Sequence, residues 1–135
     1  MSNTRLPKLL VVDDEVSVIN SVKMVLEYDY EIYSANSAEA ALEVLNNNAD
    51  LPDGRQVHMM LLDIGLPGMT GLELLRQIKP VHSDVEVILM TADTSSESEM
   101  TAMKYGAFDY ITKPFDIDHL ANVVKNASEK VSCLN

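Results

Sequence analysis

Short runs of consecutive apolar residues recur along the chain and alternate with segments whose apolar residues repeat at helical spacing. Four runs have the length of buried strands: Leu9–Val12, Met59–Leu62, Val87–Met90 and the shorter Tyr110–Thr112. Glu31–Ala35 is a weaker run that predicts a strand at the periphery of the sheet. Because the four runs are continuous rather than alternating, they predict strands that are covered on both faces.

Five segments that follow these runs predict helices. Ser37 is the predicted N-cap of the second helix and Asp116 that of the fifth. We expect the third helix to end at Pro80 and the fourth to run from about Ser96 to Tyr105. The predicted apolar stripes are Val18, Ile19, Val22, Val25 and Leu26; Ala38, Ala41, Leu42 and Leu45; Leu72, Leu75 and Ile78; Met100, Met103 and Ala107; and Ile117, Leu120, Ala121 and Val124.

A strand followed by a helix, repeated five times, predicts an α/β fold with a parallel sheet and helices on both of its faces. Right-handed crossovers restrict the topology to a few doubly wound forms. Because no linker interrupts the pattern, we predict a single domain over residues 1–135, with a core covering about residues 7–130. The polar, turn-rich stretch Asn46–Val57 is predicted to be a surface loop.

The charge and hydropathy of the chain limit its functions. The 135 residues carry a formal net charge of −11, which argues against direct binding of nucleic acid. No apolar run approaches the roughly 20 residues of a membrane helix, and the polar start does not resemble a signal peptide. The single cysteine, Cys133, permits no internal disulfide. We therefore expect a cytoplasmic protein that does not associate with membranes.

Polar side chains stand at the carboxyl ends of the predicted strands. Asp13 and Asp14 follow the first strand, Asp63 follows the third, Thr91 the fourth and Lys113 the fifth. Each of them alone fits a helix cap or the start of a turn. Sites in open α/β sheets form beyond the carboxyl ends of the strands, so together they predict a functional site at one edge.

Three neighbouring aspartates oppose one another's ionisation, and a bound divalent cation would remove this conflict. Ligands that are all oxygen favour Mg²⁺, Ca²⁺ or Mn²⁺ over zinc. Such a site suits phosphoryl transfer, in which a carboxylate can be the nucleophile. Lys113 would then balance the charge of one phosphoryl oxygen, Thr91 would donate a hydrogen bond to another, and the small Ala92 would leave room for the donor.

Four segments resemble the receiver domains of two-component response regulators. They are VVDDE (Val11–Glu15), LLDIGLPGMTGLEL (Leu61–Leu74), ILMTAD (Ile88–Asp93) and GAFDYITKPFD (Gly106–Asp116). The resemblance covers nearly the whole chain and implies a flavodoxin-like (βα)5 fold with strand order 2-1-3-4-5. The stretch Ala102–Asp116 is similar to receivers attached to sigma-54-type transcriptional activators, which implies a role in transcription regulation.

The resemblance implies a role for each acidic residue. Asp63 is expected to be the phosphoacceptor and a ligand of Mg²⁺. Asp14 is expected to bind Mg²⁺ directly and Asp13 through a water molecule. The backbone carbonyl of Gly65 is the third expected protein ligand.

The resemblance also implies a switch and partners. Lys113 and Thr91 contact the phosphoryl group, Tyr110 turns inward when Thr91 moves, and the Lys113–Pro114 bond is cis. The fourth helix, fifth strand and fifth helix would carry the change to an output domain or partner protein, and a homodimer stays open. The expected phosphoryl donor is a phosphohistidine of a sensor histidine kinase, and small acyl phosphates are expected to serve as alternative donors. Such a domain catalyses only its own phosphoryl transfer and dephosphorylation.

Several features depart from the commonest family pattern. Gly65 and Asp93 stand near the acceptor and are expected to alter the lifetime of the phosphate, with a sign that the sequence leaves open. His58 stands where many receivers carry Asp and is expected to be structural, while His82 and His119 are expected at the surface.

Three other functions compete with this interpretation. A Mg²⁺-dependent phosphatase with an aspartyl nucleophile usually has a second acid where this chain has Gly65. A degenerate receiver that serves only as a protein-binding scaffold would not need the complete acidic set. Nucleotide binding is the weakest alternative, because no glycine-rich nucleotide motif follows any predicted strand. The cognate kinase, the output pathway and membership of a longer regulator stay open.

Overall fold

The computed structural model of the chain describes residues 6–47, 56–92 and 96–132. Five strands and five helices alternate along it in the predicted order. They are β1 (Lys8–Val12), α1 (Val16–Leu26), β2 (Glu31–Ala35), α2 (Ala38–Asn46), β3 (Met59–Asp63), α3 (Gly71–Val81), β4 (Glu86–Thr91), α4 (Ser96–Lys104), β5 (Asp109–Thr112) and α5 (Ile117–Ser132).

The five strands form one parallel sheet in the order β2-β1-β3-β4-β5. This is the doubly wound, flavodoxin-like order that the family resemblance implies, so the predicted fold class is confirmed. The weakest predicted strand, β2, lies at one edge of the sheet, as expected. Because all strands run in parallel, their last residues share one edge, here called the carboxyl edge, and their first residues share the amino edge.

The strands are buried on both faces because side chains alternate between two cores. Leu10 and Val12 of β1 point into a core formed with α2, α3 and α4, while Leu9 and Val11 point into a second core formed with α1 and α5. This arrangement explains why the strand sequences are apolar at every position rather than at every second one.

Helix starts follow the predicted capping chemistry. The Ser37 hydroxyl accepts a hydrogen bond from the backbone N–H of Ala40, as expected for an N-cap. Asp116 accepts a hydrogen bond from the backbone N–H of Asp118 at the start of α5. Both helices therefore begin where the sequence predicted.

Three helix predictions need correction. Ile117, the first residue of the predicted apolar stripe of α5, is 59% exposed and does not face the core. Pro80 does not end α3 but lies inside its last turn, where the helix continues because the N–H of His82 still binds the carbonyl of Ile78. Met100 and Met103 of α4 do not face the core, since they are 71% and 48% exposed. The helix instead contacts the sheet through the small side chain of Ala102, which leaves the methionines in solvent.

The predicted loop Asn46–Val57 lies mostly outside the described residues, as do Asp93 and Cys133. Asn46 belongs to α2, and Val57 is buried in the core beside α2 and α3. Among the described residues, no helix is both long enough and apolar enough to span a bilayer.

Candidate functional site

The three predicted aspartates meet at the carboxyl edge of the sheet. Asp13 and Asp14 follow β1, and Asp63 is the last residue of the neighbouring strand β3. Each offers a carboxylate oxygen, and these oxygens lie within 4.8 Å of one another. Asp13 is fully buried and Asp63 is 7% exposed, whereas Asp14 faces solvent. The cluster is therefore anchored in the protein on one side and open to solvent on the other.

Backbone amides fix the orientation of the two buried carboxylates. Asp13 Oδ1 accepts a hydrogen bond from the N–H of Glu15 at 2.9 Å, and Asp63 Oδ1 accepts one from the N–H of Gly65 at 3.1 Å. Both are local bonds from a residue two positions further along, which short Asp side chains form readily. With one oxygen held by the backbone, the Oδ2 atom of each aspartate is directed towards Lys113.

Lys113 is the cation of the site. It follows β5, where its backbone N–H binds the carbonyl of Thr91 at 2.7 Å, and the Lys113–Pro114 bond is cis as expected. Its Nζ donates to Asp13 Oδ2 at 2.8 Å and lies 3.5 Å from Asp63 Oδ2 and 3.6 Å from Glu15 Oε1. One ammonium thus serves three carboxylates, which it cannot fully neutralise.

This shortage of positive charge affects both titratable partners. Burial raises the pKa of Asp63 above its ordinary value of 3.8, and the negative charge of Asp13 adds to this, against the hydrogen bond from Gly65 and the attraction of Lys113. Burial alone would lower the pKa of Lys113, but its hydrogen bond with Asp13 and the charges of Asp63 and Asp13 outweigh this and raise it. Lys113 is therefore held in its charged form, while Asp63 resists ionisation.

Thr91 and Tyr110, the two residues expected to form the switch, lie on the neighbouring strands β4 and β5. Thr91 ends β4, next to β3 in the sheet, and is 3% exposed. Tyr110 on β5 is half-buried, and its hydroxyl lies 3.3 Å from Glu99 Oε1 of α4. In this structure the ring of Tyr110 is therefore connected to α4.

The chain is similar to a known protein family and to several curated relatives. Residues 9–125 match the family described as "Response regulator receiver domain". The chain belongs to this receiver family. It is 36% identical over 119 residues to the uncharacterised transcriptional regulatory protein YkoG of Bacillus subtilis, covering 88% of this chain and 50% of that protein. It is 38% identical over 117 residues to the DNA-binding transcriptional regulator NtrC of Klebsiella pneumoniae, covering 87% and 24% respectively.

Solved structures agree with this assignment. A receiver domain from Methanospirillum hungatei superimposes with a TM-score of 0.85 at 28% identity, covering 96% of this chain and 99% of that one. The curated relatives include sigma-54-type activators, as the stretch at residues 102–116 indicated. The receiver spans half or less of the length of the curated relatives named above.

Two residues that shape the receiver's site were not predicted to belong to it. Glu15 lies within 3.6 Å of Lys113 Nζ, although its side chain is 61% exposed. It stands at the N-cap of α1, but its side chain makes no capping hydrogen bond to that helix. Gly71 begins α3, and a Cβ there would lie 2.4 Å from the backbone oxygen of Asp63. Only glycine permits this close approach of α3 to the acidic strand.

Gly65 and the histidines have other surroundings. A Cβ at Gly65 would lie 3.7 Å from Asp63 Oδ1, which is ordinary van der Waals contact, so the methyl group of an alanine would fit beside the acceptor. His58 Nδ1 accepts a hydrogen bond from the backbone N–H of Lys8 at 2.9 Å, far from the site, which agrees with a structural role. His119 is exposed, and His82, which follows the last turn of α3, is partly exposed with its Nε2 3.2 Å from Asn46 Oδ1.

The acidic cluster fits a hard divalent cation. Its three converging groups are all carboxylates, and Asp14 leaves one side accessible to water. Mg²⁺ takes few protein ligands and keeps several waters. Two of the three carboxylates also remain short of positive charge beside a single lysine, so a bound cation would relieve their repulsion.

Proposed function

We propose that this receiver accepts a phosphoryl group on Asp63 with the help of Mg²⁺ and uses the resulting charge to change its surface for a partner. The observation that carries the proposal is the convergence of Asp13, Asp14 and Asp63 on one ammonium, Lys113 Nζ. Membership of the receiver family supports the role of signalling domain rather than that of a general enzyme. We also propose that residues 1–135 form one domain, since all five described strands share one sheet.

Asp14, Asp63, the carbonyl of Gly65 and, through water, Asp13 would hold the cation. When bound, Mg²⁺ would supply the positive charge that phosphoryl transfer requires at the donor's oxygens. The fit of the carboxylate set supports this assignment, because its oxygens lie within 4.8 Å of one another.

The residues of this chain would then act in sequence. Asp63 Oδ2, which is not held by the backbone, attacks phosphorus while the bond from phosphorus to the donor breaks. Lys113 already lies 3.5 Å from this oxygen and neutralises the charge on an adjoining phosphoryl oxygen. Thr91 donates a hydrogen bond from its hydroxyl to a second phosphoryl oxygen, and Asp13 keeps Lys113 charged and in place.

Phosphorylation adds about two negative charges and strong acceptor oxygens to Asp63. Thr91 and Lys113 would interact with these oxygens only in the phosphorylated state, which shifts the population of the two states. We propose that Tyr110 follows Thr91 inward and leaves Glu99. Since Tyr110 connects β5 to α4, this movement would change the surface formed by α4, β5 and α5.

We propose a sensor histidine kinase as the natural donor and an output domain or partner protein as the recipient of the change. A second copy of this chain is another possible recipient. The family and the named relatives, which include transcriptional regulators, support this. The net charge of −11 argues against direct contact with nucleic acid through this domain.

The test is intact-mass spectrometry after incubation with acetyl phosphate and Mg²⁺. We expect the mass of the chain to rise by one phosphoryl group, and the rise to be absent in Asp63→Asn and without Mg²⁺. Asp84→Asn makes the same chemical change at an exposed position before β4 and should label like the wild type. Labelling of Asp63→Asn at the wild-type rate would refute the assignment.

The phosphatase alternative is not favoured by the site. Gly65 stands two residues after Asp63, so no second acid is available there to protonate a leaving group. Turnover of a small phosphomonoester well beyond one equivalent would be required to restore that alternative.

A further inference from the structure

A groove opens beside the acidic cluster, between α1 and the segment that leads into α5. It has a volume of about 610 Å³. Its apolar walls include Val18 and Val25 from α1 and Phe115, Ile117 and Leu120 from the opposite side. Lys113 lines the groove, and its Nζ lies 3.5 Å from Asp63 Oδ2, so the groove adjoins the acidic cluster.

The lining of the groove is suited to an apolar chain with an anionic end. Among the described residues of the lining, Lys113 carries the single charge, and Ser17 and Ser21 are the other polar side chains. Ile117 is 59% exposed, so this wall is accessible from solvent. A volume of several hundred Å³ with a few polar groups is typical of small-molecule sites.

We propose that the groove binds the acyl chain of acyl phosphate donors, and that the receiver therefore prefers longer apolar acyl phosphates to acetyl phosphate. The inference rests on the proposed phosphoacceptor role of Asp63. Lys113 is complementary in charge to the phosphoryl group, and the walls beyond it are complementary to a hydrocarbon chain. A donor that carries both parts in one molecule satisfies both neighbouring surfaces together.

The chemical step needs no further reactant. A carboxylate oxygen of Asp63 forms a bond to phosphorus while the bond between phosphorus and the acyl oxygen breaks. The electron pair of that bond leaves with the acyl carboxylate, so charge and atoms balance without a proton or a redox partner. In an in-line transfer the carboxylate leaves on the side away from Asp63, and its chain would turn from there past Lys113 into the groove.

The experiment compares donors of increasing chain length on the full chain at saturating Mg²⁺. Labelling rates are measured by intact mass at subsaturating phosphoramidate, acetyl phosphate, butyryl phosphate and hexanoyl phosphate. We expect kcat/KM to rise about threefold for each added methylene, the scale of partial burial of one such group. Phosphoramidate has no acyl chain and reports the reactivity of Asp63 by itself.

Two matched variants test whether the groove causes the preference. Ile117→Ser removes an apolar wall and should lower the hexanoyl-to-acetyl ratio by at least about threefold. Val81→Ser makes a similar change at a 73% exposed position of α3, outside the groove lining, and should keep the wild-type ratio.

The outcomes separate the two proposals. Equal labelling rates along the acyl series, with acetyl phosphate labelling intact, would overturn the assignment of the groove to the acyl chain. The proposed role of Asp63 as phosphoacceptor would then still stand. An unchanged ratio in Ile117→Ser would also overturn it. Absence of labelling by every donor, phosphoramidate included, would instead refute the proposed phosphoacceptor function.

Discussion

Charged side chains meet at both edges of the sheet, but they are balanced differently. At the amino edge Lys8 pairs with Glu31, and Lys130 lies 3.4 Å from Glu86, so each cation has its own acid. At the carboxyl edge, within the described part of the chain, a single cation lies among an excess of acids: Lys113 with Asp13, Asp14, Glu15 and Asp63. Matched pairs serve the fold, whereas an unmatched acidic cluster costs stability and indicates a functional site.

The largest expected effect comes from removing the Lys113 ammonium from the carboxyl edge. Lys113→Met leaves the fully buried Asp13 without its 2.8 Å ion pair, beside two further carboxylates. Breaking a buried pair from one side costs about 3 kcal/mol. We expect a loss of this size in the free energy of unfolding at neutral pH without Mg²⁺, measured by urea denaturation.

Mg²⁺ distinguishes this effect from a general loss of packing. Ligand binding to the native state stabilises it. Because Lys113→Met leaves the acidic cluster with less positive charge, Mg²⁺ should raise the free energy of unfolding of this variant more than that of the wild type. Lys125→Met, an exposed lysine of α5, should change the stability little and respond to Mg²⁺ like the wild type. If Lys113→Met were as stable as that control, the charge imbalance would have no energetic weight.

The amino edge provides the contrasting case. Lys8 is fully buried, and its ammonium binds the Glu31 carboxylate, lies 3.1 Å from the Tyr33 hydroxyl and stands 5.2 Å from the centre of that ring. In Lys8→Met the methionine fills much of the same space, and the 39% exposed Glu31 side chain regains water. We therefore expect a smaller loss, about 1–2 kcal/mol.

This second loss should be independent of Mg²⁺, since the pair lies at the edge opposite to the acidic cluster. Urea denaturation with and without Mg²⁺ measures it, and phosphoryl uptake from acetyl phosphate should persist in Lys8→Met. A Mg²⁺-dependent stability difference between Lys8→Met and the wild type would contradict the separation of the two edges.

The same contrast shows what sequence reasoning could reach. The strands β1, β3 and β4 were predictable because both of their faces are buried, and the acids that follow them then share an edge by parallel topology alone. The amino edge was not predictable, because a lysine at the start of a strand gives no sign of burial. The register that pairs Lys8 with Glu31 is what places its ammonium beside an acid.

The sequence pattern also did not predict which small residues allow two elements to pack closely together. The assignment of Met100 and Met103 to the apolar stripe of α4 was wrong, because Ala102 rather than the larger methionines meets the sheet. Gly71 resembles any helix-starting glycine until the backbone of Asp63 is seen within 2.4 Å of its would-be Cβ. Size complementarity of this kind depends on distances between elements, which periodicity does not contain.

The smallest expected effect is the release of repulsion when the acceptor loses its charge. Burial raises the pKa of Asp63 above 3.8, so between that value and the raised one the native state holds a proton that the unfolded state has lost. As the pH rises through this window, ionisation of Asp63 lowers the stability of the native state. Asp63→Asn has no such cost and should be more stable than the wild type by about 1 kcal/mol at neutral pH in EDTA.

This gain should disappear on acidification, because below pH 3.8 Asp63 is protonated in both states and resembles the asparagine. Urea denaturation of both proteins across the pH range, with Asp84→Asn as the matched exposed change, measures the difference. Mg²⁺ should reverse its sign, since the cation favours the wild-type carboxylate. A constant difference across pH would mean that Asp63 bears no unrelieved charge, and the contrast between the two edges would then lose its physical basis.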